Sequence, residues 1–356
     1  MPPGTQANAA NVTAARPGRN VAIALMAALL VLAGALLLRR AHSLPSFAGF
    51  GADLRSVSIP ELVLGLAAIY VQMIVRAVRW ALLMPREQRP APAALTATQF
   101  VGFAAVALFG RVADLTRPYL VARKTETPVA MQIAVYSIER ALDLAATAVL
   151  FSLTLLLVPR TAPHHEAFSR AGILASAATA FLLACALIVR TAGKGIAHAV
   201  RTGFRTRLPK LADSVANRIL ELQSGFAALS TGQLAGAFLW SLVIWLLIAF
   251  AYLFSTHSLP QTPQLARLGM AAIMLLLATS MGASLLQLPI LGWFTQIAAL
   301  AAAYHTFFGV PPAAASLCGL LTFAVNTLSV IPPGLALARW SGLSLREGRT
   351  AAAEAA

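Results

Sequence analysis

The sequence predicts an all-α integral membrane protein of two inverted-topology halves with re-entrant or broken helices, and three observations carry that prediction. Of 356 residues, 59% are hydrophobic and 11% charged, at a mean hydropathy of +0.77, against roughly 25% charged in an ordinary soluble domain. Apolar runs fill most of the chain, six of them long enough to cross a hydrocarbon core of about 30 Å and two of them interrupted. The Lys and Arg residues lie between these runs, in a pattern that membrane topology explains.

Residues 1–19, rich in Ala, Pro, Gly and Asn, read as a disordered cytoplasmic tail, and 341–356 as a second tail. The first run, 21–38, follows Arg16 and Arg19, but it is longer than a signal-peptide core and leads into Arg39 and Arg40 rather than small residues. It is therefore expected to be a retained span. Full spans follow at 61–82, 129–158, 171–190, 233–256 and 312–337, while 95–110 and 268–291 are apolar but punctuated by Gly, Pro and polar residues. One membrane domain is expected over 20–340, as half one, 20–158, and half two, 171–340.

Charge decides what 95–110 does. If it crosses, 17 basic residues face out and nine face in; if it enters and leaves on one side, 20 face in and six out, with Arg140 left in a span. The second count obeys the positive-inside rule and puts both termini on the cytoplasmic side. Backbone that turns at membrane depth needs protein or a water-filled cavity around it, so GRVADLTRPYLVARK (110–124) is placed at the mouth of a cavity. Gly110, Asp114 and Pro128 recur as Gly292, Gln296 and Pro311 at nearly the same spacing, which marks two halves of opposite orientation. For 268–308, charge allows either a re-entrant pair or two ordinary spans.

Charged groups inside a span are costly and point to function. Glu139 and Asp143 share a helical face at i,i+4, Arg140 reaches Asp143 at i,i+3, and Tyr136 lies one turn before Arg140. Two carboxylates on one face require cations, which Arg111, Arg117, Arg76 and Arg79 can supply. Such a network can lock the broken helix to its neighbours, or it can leave a guanidinium free to hold a lipid phosphate through paired hydrogen bonds. In the second half Gln287, Pro289, Gly292, Gln296 and Asn326 are candidate cavity residues, with helix-to-helix hydrogen bonding as the other use of the three amides. The five Trp residues fall mostly near run ends, as interfacial anchors do.

The connector 191–232 carries Lys194, Arg201, Arg205, Arg207, Lys210 and Arg218, with apolar residues at helical spacing. It reads as a basic amphipathic helix on the inner leaflet, or as a docking site for an enzyme. The net charge of +15 thus implies membrane lipids as partners and not nucleic acid. Cys185 and Cys318 lie within apolar runs and the six His are scattered, so no disulfide framework, metal site or cofactor is indicated. There is no G-x-S-x-G, H-E-x-x-H or P-loop, and the chain is not expected to be an enzyme, although Glu139 and Asp143 could serve an intramembrane transferase.

Three segments, RAVRWALLMP (76–85), GRVADLTRPYLVARKTETP (110–128) and SIERALDL (137–144), in this order resemble the flippase-like family that includes the transmembrane region of lysylphosphatidylglycerol synthases. The likeness covers about 20–340 and implies movement of an anionic phospholipid or a polyprenyl- or hopanoid-type lipid between leaflets. It also implies a lipid-modifying or glycan-synthesis enzyme as a partner, and a non-transporting scaffold for such an enzyme is the rival role. Arg111, Asp114, Arg117, Glu139, Arg140 and Asp143 match the family's polar positions. Asp114 stands where the family usually has Glu, and the second-half motif Pro289–Gln296 ends in Gln in place of Glu. Few residues follow the last run, so the aminoacyl-transfer domain of some relatives is not expected here.

Overall fold

Two long helices, α1 (Ile59–Leu82) and α7 (Thr231–His257), run antiparallel along each other. Ser58 N–H donates to the Ser258 carbonyl at one end (2.8 Å), and Gln233 Nε2 donates to the Leu82 carbonyl at the other (3.1 Å). The computed structural model describes residues 54–157, 165–204, 209–227, 229–284 and 291–340, all within one unit, Gly49–Ala356. The expected span 21–38 and both tails lie outside these residues. Among the described residues every regular element is helical.

Each half adds a helical hairpin to its long helix. In the first, α2 (Pro92–Phe109) starts with a Pro at its first turn and ends at Gly110, whose φ of 74° and ψ of −166° only glycine adopts readily. A 3-10 turn (Arg111–Leu115) and α3 (Thr116–Thr125) then lead back. At ten residues, about 15 Å, α3 is too short to cross the membrane. Leu95 at the start of α2, Val121 near the end of α3, Leu83 and Met84 after α1, and Val135 in the early turns of α4 (Val129–Leu157) form one buried cluster. Both ends of the hairpin therefore lie on the side where α1 ends and α4 begins, as a re-entrant segment requires. By composition alone α2 qualifies as a span; its return partner decides otherwise.

The second half repeats this upside down. After α5 (His165–Phe204), α6 (Pro209–Ala227), α7 and the short α8 (Pro263–Ala266), helix α9 (Met270–Ser284) has 15 residues, about 22 Å, and α10 (Leu291–Phe308) packs back against it. Leu259 after α7, Ile273 of α9, Tyr304 of α10 and Ala315 of α11 (Pro312–Asn326) share a cluster. So 268–308 is a hairpin that opens at the end of α7, and because α7 is antiparallel to α1 the two hairpins open on opposite faces.

Three expectations change. The stretch 95–110 does not both enter and leave: it is the incoming helix α2, and Gly110–Leu115 is the turn at its deep end, so Arg111 does not stand at the mouth. The run 312–337 remains a candidate span, within Pro312–Trp340, but its helix is broken: α11 stops at Asn326, a 3-10 turn covers Leu328–Val330, and α12 (Ile331–Trp340) follows. Pro332 and Pro333 remove the amide donors that would have joined them. The connector 191–232 is not a single helix, because α5 continues unbroken for 40 residues through 171–190 to Phe204 and α6 turns back along it.

Candidate functional site

Arg76 and Arg79 lie one turn apart on α1 and face the middle of α4. There Glu139 and Asp143, also one turn apart, receive them: Arg79 Nη2 bonds Glu139 and its Nη1 bonds Asp143, while Arg76 Nη1 lies 3.4 Å from Glu139 Oε1 and 3.6 Å from Asp143 Oδ2. Arg117 comes from α3, with Nη2 2.9 Å from each oxygen of Glu139. Its stem crosses α2 at Gly102, where a Cβ would sit 2.2 Å from Arg117 Cγ. Arg140 completes the group, with Nη2 3.2 Å from Asp143 Oδ2.

Neutral groups orient these cations. Gln99 Oε1 accepts from Arg117 Nε and Nη2 (3.2 and 2.8 Å), Gln72 Oε1 accepts from Arg76 Nε (2.6 Å), and Ser241 Oγ of α7 accepts from Arg79 (2.6 Å). Phe103 packs on the guanidiniums of Arg117 and Arg76 at 4.5 and 4.9 Å, and Trp80 on that of Arg117 at 4.9 Å. Trp80 is fully buried and donates to Gln132 Oε1 (2.8 Å), so it belongs to the cluster and is no interfacial anchor.

Exposure divides the arginines. The side chains of Arg76, Arg79 and Arg117 are 5%, 0% and 0% exposed, whereas Arg140 is 31% and Arg111 43% exposed. Of the four arginines expected at a headgroup, three are therefore committed to carboxylates in the interior and only Arg111 is open. Arg140, expected in the polar network, is both in the network and at its edge, with Tyr136 against its guanidinium at 5.2 Å. Asp114 sits beside Arg111 at 3.4 Å. Arg76, Arg79, Arg117 and Arg140 share two carboxylates, a surplus of two positive charges, and Arg117 Nη1 and Arg140 Nε are buried atoms without a hydrogen-bond partner.

The second-half candidates do not assemble in the same way. Gln287 and Pro289 lie outside the described residues. Gln296 donates to Ser280 Oγ (2.7 Å), which also accepts from Tyr252 Oη, and Asn326 donates to the carbonyl of Thr322 in its own helix (2.9 Å). Gly292 is buried at the start of α10, next to Trp293, whose Nε1 donates to the Ala107 carbonyl at the end of α2 (2.7 Å). From the other tip, Arg111 Nε and Nη2 donate to the carbonyl and hydroxyl of Ser284 (3.1 and 2.7 Å).

Sequence reasoning missed Gln72, Gln99, Ser241 and Ser284. The two Gln residues stand inside apolar runs, a signal equal to that of Asn326; nothing in the pattern marks the two serines. Among the described residues no group of His, Cys, Asp and Glu has the makings of a metal site. The family model described as the lysylphosphatidylglycerol synthase TM region matches residues 21–334. No curated protein and no solved structure matches the chain.

Proposed function

Because the chain belongs to the family of the lysylphosphatidylglycerol synthase transmembrane region, we propose that it moves an anionic lipid between the leaflets of a bacterial plasma membrane. In this reading it forms no covalent intermediate and is not an enzyme. The carrying observation is the charge surplus: four guanidiniums on two carboxylates, three of them buried, with Arg140 at the open edge. Buried net charge is expensive where no water solvates it, and a lipid phosphate at Arg140 and Arg111 offsets that cost through charge-assisted hydrogen bonds. Arg76, Arg79 and Arg117 hold the hairpin so that the two exposed cations stand where a headgroup arrives. The hairpin's open end is assigned to the cytoplasm, the side that receives most of the basic residues.

The test is transfer of a fluorescent phosphatidylglycerol in reconstituted vesicles. The Arg111→Gln, Arg140→Gln double variant is expected to lose roughly tenfold or more in rate, the worth of one charge-assisted hydrogen bond, while it inserts and melts like the parent. A parental transfer rate sinks the reading. The rival scaffold role would use the basic faces of α5 and α6, but there Arg201 is engaged within the helix pair, by Asn217 at 2.6 Å and Asp213 at 3.5 Å. If Lys194→Gln abolishes function in cells while the double variant does not, the scaffold role is the correct one.

A further inference from the structure

The two hairpins come from opposite faces, and the described residues beside their turns bond one another in the same way. In the first, the residue after Gly110 is Arg111, which donates to the Ser284 carbonyl at the last residue of α9. In the second, the residue after Gly292 is Trp293, which donates to the Ala107 carbonyl near the last residue of α2. In each case a return segment supplies a donor and the opposing incoming helix supplies a carbonyl. Ala107 lies in the last turn of α2, where carbonyls lack a partner within the helix and carry its negative dipole end, so it binds a donor well. The pair of contacts joins the two halves beside the turns, through the Trp293 indole to the Ala107 carbonyl and the Arg111 guanidinium to the Ser284 carbonyl and hydroxyl.

The contacts are unequal in one respect. Trp293 is braced by Phe323, at 6.3 Å between ring centres, and its indole has one donor, so it can do nothing but latch. Arg111 is 43% exposed, bonds Asp114 as well as Ser284, and carries a charge that a phosphate will draw more strongly than a neutral carbonyl does.

We propose that Ala107, Arg111, Ser284 and Trp293 form a reciprocal latch between the hairpin tips, released when a lipid phosphate takes Arg111 from Ser284. This rests on the lipid-binding reading above, but it is read out separately. Binding at Arg111 then breaks one of the latch's two contacts and leaves the Trp293 contact in place.

The experiment places a single cysteine at Ala107, which is 3% exposed, in a Cys185→Ser, Cys318→Ala background, and follows maleimide labelling of the full chain in lipid nanodiscs. Labelling is expected to be several-fold faster in phosphatidylglycerol than in phosphatidylcholine. Trp293→Phe, which keeps the ring against Phe323 but loses the donor, and Arg111→Gln are each expected to label fast in both lipids. Equal labelling of the parent, Trp293→Phe and Arg111→Gln proteins overturns the latch, even if lipid transfer proceeds as proposed. Transfer that fails while labelling still responds to lipid charge and to both variants leaves the latch standing and removes the transport reading.

Discussion

Glu139 receives hydrogen bonds from three arginines on two different helices, so one carboxylate joins α1, α3 and α4. Its removal leaves Arg117 with Gln99 as its hydrogen-bonding partner and Arg79 with Asp143 and Ser241, all in the interior. Breaking a buried pair from one side typically costs about 3–5 kcal/mol. Glu139→Ala is therefore expected to lower the melting temperature of the detergent-purified protein sharply, and Arg140→Gln, at the exposed edge, to lower it little. Equal melting temperatures for the two would mean that the cluster does not hold the helices together. The carboxylates and their arginines were legible in the sequence, because an acidic pair at i,i+4 inside an apolar run demands partners. The division of labour among the arginines was not. Whether a guanidinium is buried or open depends on where α3 crosses α2, and that crossing is set by Gly102, a residue with no chemistry of its own.

The hairpins show the same mixture of legible and hidden. Charge asymmetry has 95–110 entering and leaving on one side with 110–124 at the mouth, whereas in the structure that stretch is the incoming helix α2 alone, Gly110–Leu115 is the turn at its deep end, and the return is α3, which composition could not reveal since Thr116–Thr125 is polar and short. The interruption at Thr327 was visible as Pro332 and Pro333, but a long apolar run hides a break whose cause is two missing amide donors. Likewise the continuity of α5 past residue 190 follows from its packing against α6, which hydropathy does not register. The first hairpin turns on Gly110, whose φ of 74° and ψ of −166° lie in a region closed to other residues. Gly110→Ala is expected to cost on the order of 1–3 kcal/mol and to slow lipid transfer by displacing Arg111. Gly195→Ala, in the exposed middle of α5 with open space around it, is expected to be neutral or to stabilise by up to about 1 kcal/mol. Thermal melts of both variants check this, and a neutral Gly110→Ala would show that the tip tolerates another backbone.

At the scale of the whole molecule, the antiparallel pairing of α1 with α7 fixes everything else. Each hairpin opens where its own long helix ends, so reversing one long helix reverses its hairpin and brings the two tips together from opposite sides. Charge counting located the first hairpin but was silent on the second, because 268–308 contains no basic residue after Arg267 and so leaves no mark on the positive-inside balance. The geometry makes a definite statement there, which impermeant thiol labelling in intact cells can check. In the cysteine-free background, cysteines at Arg89 and Glu126, at the two ends of the first hairpin, are expected to react from one face. Cysteines at Gly269 and Gly309, at the two ends of the second, are expected to react from the other; both positions have open space for the added side chain, and at Gly309 the cysteine takes a left-handed φ of 63°, at a cost on the order of 1–3 kcal/mol. If Gly269 and Gly309 label from different faces, the chain crosses the bilayer once between them and α9 and α10 do not form a hairpin. The second tip then no longer meets the first at mid-membrane depth, and the inverted arrangement that brings Trp293 to Ala107 does not survive in the membrane.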